Sequence, residues 1–225
     1  MPQVTKNRTK RRTLPKRRDA LETRSRLLTA AGQAFAEYGF KGANLREICQ
    51  TAKVNLGAVT YYFGDKEQLY REALIAPHRE MVNQDPPPNF QQFADPEPAL
   101  KEWIFYFLRL TLIRRPAHPY LSKLVTREII HPSIALNQLV DLVFTKVRGE
   151  LVHIIAIMIN RPPEDREVGT LANMTIMLCI QQEIGRAVLE RFNFPPPESE
   201  EEIRELTEKV YRFSRAGIME WKEIH

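Results

Sequence analysis

The densest chemistry lies at the start of the chain. Lys6, Arg8, Lys10, Arg11, Arg12, Lys16, Arg17 and Arg18 all fall within residues 1–18, which contain no acid. Cations this crowded cannot bury one another, so the arm is expected to be disordered by itself. Against a polyanion the same residues would contact phosphates and release counterions. RNA, an anionic lipid surface and plain solubilisation are alternative uses of such a tract. The net charge of the whole chain is +5, so residues 19–225 together carry three net negative charges and the basicity belongs to the arm.

Other reactive side chains do not converge. Glu128 and His131 place two potential metal ligands on one helical face, but no third ligand stands at a suitable spacing. Cys49 and Cys179 sit inside apolar helical patterns with no CxxC or histidine partner, and read as small core residues. There is no Walker loop, no GxSxG and no HExxH, and the five histidines are scattered. An enzyme is not expected, and neither a metal nor a cofactor is implied.

Those groups need elements to hold them. With 225 residues, 43% of them hydrophobic, the chain can bury a real core in one or two domains. Its longest apolar run, residues 151–159, is interrupted by His153 and is too short for a membrane span. The basic N-terminus leads into no apolar stretch or small-residue cleavage site, so it is not a secretory signal, and a cytoplasmic address is expected. Apolar residues recur at steps of three and four almost throughout, which predicts an all-α fold.

The spacing predicts helices over 19–38, with Gly39 as C-terminal cap, then 44–51 capped by Asn44, 55–63 capped by Asn55, and 65–81 capped by Asp65. Pro86-Pro87-Pro88 reads as a linker. Further helices are predicted over 98–114, 119–130, 133–160, 164–191 and 199–223, separated by breaks at Arg115-Pro116, His131-Pro132, Pro162-Pro163 and Pro195-Pro196-Pro197.

The most informative stretch is residues 39–74, GFKGANLREICQTAKVNLGAVTYYFGDKEQLYREAL. Leu45, Ile48 and Cys49 face inward on one short helix, a turn follows at Ala52-Lys53-Val54, and Val59 and Phe63 anchor the next. Helices this short must pack on the first helix to be stable. The tight turn makes them cross steeply, so the later one is left exposed and able to enter a DNA major groove about 12 Å wide.

The run from Val54 to Phe63, VNLGAVTYYF, followed by Gly64-Asp65-Lys66-Glu67-Gln68-Leu69, closely resembles the recognition helix and fourth-helix start of the TetR/AcrR family of bacterial repressors. The resemblance covers about residues 20–75. It implies that Arg46 reads a guanine through O6 and N7. It also implies that Leu56, Gly57 and Ala58 face the bases without a hydrogen-bond code, and that Thr60, Tyr61, Tyr62 and Lys66 hold phosphates. Asn44 and Asn55, as the two caps, complete the expected DNA-binding set. Two departures stand out: Lys53 occupies a turn position where the family usually has glycine, which would cost about 1 kcal/mol in a left-handed conformation, and Thr60 replaces a more usual tyrosine.

The rest of the chain is similar, more weakly, to the CecR-type subgroup through residues 124–133, LVTREIIHPS. That resemblance implies dimerisation and a small, apolar or amphipathic effector. Read from the residues, Ile203, Leu206, Val210, Phe213 and Gly217 form a stripe along the last helix, and Leu171, Met174, Leu178 and Ile184 another along the helix before it. Leu171, Leu178, Ile203, Leu206, Val210 and Phe213 are expected at a two-fold four-helix interface, with service in the chain's own core as the alternative. Trp103, Phe107, Leu110, Tyr120, Leu124, Phe144, Met174 and Met177 are expected to line a ligand cavity, with Arg127, Glu128, His131 and Gln181 as candidate polar contacts.

The expected organisation is therefore a basic arm at 1–18, a helix-turn-helix DNA-binding domain at 19–75 and a ligand-binding and dimerisation domain at 76–225. The expected function is repression of transcription at a palindromic operator, relieved by the effector. A DNA-binding protein whose larger domain makes only protein contacts is the alternative.

Overall fold

The computed structural model describes residues 17–113 and 118–224, and among these every regular element is helical. Most of the basic arm and the Arg115-Pro116 break lie outside the described residues. The chain forms α1 (Arg17–Gly42), α2 (Leu45–Thr51), α3 (Gly57–Phe63), α4 (Lys66–Gln84), a 3-10 turn at Phe90–Gln92, α5 (Pro96–Leu112) and α6 (Leu121–Ile130). There follow α7 (Leu136–Leu139), α8 (Thr145–Ile159), α9 (Arg166–Ile184), α10 (Arg186–Arg191) and α11 (Glu200–Ile224). No described helix is long and apolar enough to cross a membrane.

Local chemistry sets most of these boundaries. The Asn44 side chain accepts from the Arg46 amide at 2.9 Å, and that of Asp65 accepts from the Gln68 amide at 2.8 Å. Asp95 and Asp165 cap α5 and α9 in the same way, at 2.9 and 2.8 Å. Each satisfies one amide that a helix start leaves without a partner. Gly39, with φ at +70°, ends the regular part of α1 as the sequence predicts, although a last helical turn continues to Gly42. Lys53 adopts φ of +56°, the left-handed conformation that its turn demands.

Two long predicted helices are corrected. Residues 133–160 are not one α-helix: α7 gives way to a π-helical turn at Val140–Phe144 before α8 begins, and Asn160 closes α8 at φ of +53°. Residues 164–191 break at Gly185, whose backbone leaves the helical region before α10 starts.

The helices share two hydrophobic cores. The first packs Leu27, Phe35, Ile48, Phe63, Leu69, Tyr70 and Leu74 against Tyr106, Leu121, Leu124 and Leu139, so α6 and α7 belong with the N-terminal helices. The expected boundary at 75/76 falls inside α4, which contributes to that core as far as Met81. The second gathers the opposite face of α5, including Leu100, Ile104 and Leu108, with α8, α9 and α11. Cys49 lies in the first core and Cys179 in the second; burial pushes the Cys49 thiol up, and that of Cys179 up to about 12.

The second core also corrects the expected interface stripe. Ile203 and Val210 are buried inside the chain, with Leu206, Leu171 and Leu178 packed against the same cluster. On α11 the buried side faces α5, its main neighbour, so Ile203 and Val210 serve the chain's own core. Phe213 alone of that set faces outward, at 71% exposure.

Candidate nucleic-acid interface

The outward side of α2 and α3 is built by what the two helices bury. Ile48 and Cys49 anchor α2, and Val59 and Phe63 anchor α3, leaving the intervening positions at the surface. Arg46, Gly57 and Thr60 are exposed, Leu56 is 49% exposed and Tyr61 65% exposed, whereas Ala58 is half-buried. Tyr62 is half-buried against the core, and its ring meets that of Tyr61 edge to face at 4.8 Å. One tyrosine of the pair thus supports the other in its outward pose.

Asn44 and Asn55 have structural work. Asn55 Oδ1 accepts from the Ala58 amide at 3.1 Å, as Asn44 does at α2, so both fix the starts of the exposed helices. Lys66 is half-buried, with Nζ 3.5 Å from the Lys41 carbonyl and 5.2 Å from the centre of the Phe40 ring. Desolvation there lowers its pKa. To hold a phosphate the ammonium must swing away from Phe40, which its flexible stem permits.

Behind this surface, α6 grips the N-terminal helices. Lys123 pairs with Glu37, and Arg127 Nη1 donates to the Glu37 carbonyl at 3.4 Å. Glu128 is fully buried: Oε2 accepts the Tyr70 hydroxyl at 2.6 Å and Oε1 accepts the Ser133 amide at 2.8 Å. Burial and the neighbouring carboxylate push the Tyr70 phenol well above its usual range, so it stays a donor to Glu128. Arg127 and Glu128, expected as ligand contacts, instead join α6 to α1 and α4. His131 is exposed at the end of α6.

The other face of α6 borders a cavity of about 280 Å³ between α4, α5, α6, α8 and α9. Of the expected lining residues, Phe107, Leu110 and Phe144 reach it. Trp103 lines a separate cavity of about 240 Å³ and donates its indole N–H to the Val147 carbonyl at 3.1 Å. Tyr120 and Leu124 are corrected to first-core residues; a β-carbon on Gly32 would come within 2.2 Å of the Tyr120 ring, so α1 and Tyr120 fit only through that glycine. Met174, Met177 and Gln181 are corrected to exposed positions on α9 outside the cavity, the methionines at 60% and 56% exposure. Sequence reasoning missed His78, Met81 and Thr126. No sequence signal marked them, because which helices border the cavity follows only from how they pack.

The sequence of this chain matches two family descriptions. Residues 27–73 match bacterial regulatory proteins of the tetR family, and residues 96–218 match the C-terminal domain of the HTH-type transcriptional dual regulator CecR. The chain is 31% identical to CecR of Shigella flexneri over 150 residues, covering 60% of this chain and 64% of that protein. It is 30% identical to the transcriptional repressor NicS of Pseudomonas putida over 128 residues, covering 55% and 56%. The chain thus spans less than two thirds of the length of these relatives. Among solved structures, the hemolysin II regulator HlyIIR superposes with a TM-score of 0.60 at 22% identity, covering 86% of this chain and 97% of that one. FadR of Bacillus subtilis, solved with stearoyl-CoA, gives 0.59 at 15%, covering 84% and 96%. These two show a shared fold. Regulation of transcription, not catalysis, is the work of the proteins matched in sequence, and this chain belongs to the TetR family of bacterial transcriptional regulators, with a C-terminal domain of the CecR type.

Proposed function

We propose that the chain is a cytoplasmic, dimeric repressor that holds a palindromic operator through α2 and α3 and lets go when a small apolar or amphipathic molecule enters the cavity bordered by α6. The observation that carries this reading is the outward surface of α2 and α3, where Arg46, Leu56, Gly57, Thr60 and Tyr61 stand free of the core. Arg46 is assigned to a guanine edge, Leu56, Gly57 and Ala58 to close approach at the bases, and Thr60, Tyr61, Tyr62 and Lys66 to phosphates. Asn44 and Asn55 act by holding the helix starts.

Dimerisation is assigned to the exposed apolar side of α9 and α11, where Met174, Met177 and Phe213 lie. A two-fold pair there would space two recognition helices for successive major grooves, roughly 34 Å apart. Release follows as a population shift: an occupant that fits better when α6 moves draws Glu37 and Tyr70, and so α1 and α4, with it.

Selection of bound sequences from a random duplex pool tests the reading. A two-fold symmetric consensus is expected. A protein that stays monomeric and retains no duplex in dilute buffer would end it.

A further inference from the structure

The cavity's walls restrict the chemistry of its occupant. Its volume of about 280 Å³ accommodates roughly nine water-sized or methylene-sized groups. Met81, Leu110, Phe107, Phe144, Ile176 and Ile180 give it a largely apolar lining. His78, Thr111, Arg148 and Glu183 also reach the wall, and each is already engaged. His78 Nδ1 lies 2.7 Å from the Leu74 carbonyl, and the Thr111 hydroxyl donates to the Phe107 carbonyl at 2.9 Å. Arg148 Nε donates to Asn173 Oδ1 at 3.0 Å, and Glu183 accepts from Arg186 at 3.0 Å. That leaves Thr126, whose hydroxyl has no hydrogen-bond partner among the described residues.

A cation entering this space would lose its water beside Arg148, whose guanidinium spends only Nε on Asn173 and has no ion pair among the described residues. Recruiting Glu183 would first break its pair with Arg186, which leaves another polar group unmatched. An uncharged molecule meets neither cost. We propose that the cavity takes a compact, largely apolar molecule carrying one hydrogen-bonding group, a hydroxyl or a carbonyl, which Thr126 meets, and that it rejects ammonium ions of the same size. This rests on the reading of the chain as ligand-responsive and narrows the class of ligand. Thr126 lies on the helix that holds α1 and α4, one position from Arg127 and two from Glu128, so the polar contact falls on the element that an occupant must move.

Equilibrium dialysis of the full chain against naphthalene, 1-naphthol and 1-naphthylmethylammonium tests the proposal, with release of the selected operator duplex followed in parallel. 1-Naphthol is expected to bind more tightly than naphthalene, with the ammonium weaker than 1-naphthol by roughly tenfold or more. Thr126→Val should weaken 1-naphthol by about fivefold, to the level of naphthalene. Ile180→Trp, which fills the cavity, should remove all binding, with its thermal unfolding confirming that it folds. If the ammonium bound as tightly as 1-naphthol, if Thr126→Val kept the full preference, or if 1-naphthol did not bind, the proposal would be overturned. Binding of 1-naphthol without loss of DNA sinks ligand response and leaves the cavity's chemistry standing. Release of DNA by 1-naphthylmethylammonium does the reverse.

Discussion

The helix pair α2–α3 and the helix pair α9–α11 present different kinds of outward surface. In the first pair two residues per helix are buried, and what remains outside mixes Arg46, Thr60 and Tyr61 with small residues that let another molecule come close. In the second pair the inner side is apolar, and the outer side sets a few large apolar residues among exposed charges such as Glu205, Lys209 and Arg212. Ile203 and Val210 face the chain's own core, while Met174, Met177 and Phe213 face away from it. Burial within one chain accounts for the inner face, and the large apolar side chains left outside have room for a second apolar partner. The short helices, anchored on one side only, leave the other for a polar ligand.

The comparison can be broken most sharply at α11. Ile203→Ala should lower the unfolding free energy by about 3 kcal/mol in a denaturant titration, with sedimentation unchanged. The pair Met177→Glu and Phe213→Glu should leave the fold intact and shift sedimentation from dimer to monomer. Little loss of stability in the first variant, or an unchanged dimer in the second, would erase the distinction between the two faces.

At α2, Arg46→Ala should cost about 2 kcal/mol against the selected operator and relax preference at one base position. Equal losses on all duplexes would move Arg46 to the phosphates. At the turn between α2 and α3, Lys53→Gly should stabilise the protein by about 1 kcal/mol, because the left-handed backbone favours glycine. A destabilised variant would mean that the lysine side chain contributes more than its strain removes. Lys66→Ala should have the smallest effect, a modest weakening on every sequence with the salt slope reduced by about one. An unchanged slope would keep Lys66 on Phe40 in the complex.

How much of this was legible in the sequence follows from how local each cause is. Asn44, Asp65 and Gly39 act on amides or dihedrals within a few residues, and Lys53 announced its strain by standing at a turn. The π-helical turn at 140–144 and the break at Gly185 were hidden, because apolar spacing runs through both. The lining role of Thr126 and Met81 and the inward direction of Ile203 depend on which distant helices pack together, and periodicity cannot choose between two apolar faces. Glu128 and Arg127 read as polar ligand contacts for the same reason: only the fold reveals that Tyr70 and Glu37 already occupy them.

The two thiols carry a last consequence. Cys49 and Cys179 are sealed in separate cores and held protonated by their surroundings, and a protonated, inaccessible sulfur neither attacks peroxide nor exchanges with glutathione. Thiol-directed oxidants should therefore pass these two sulfurs by, and thiol-alkylating reagents should mark them only after the protein unfolds.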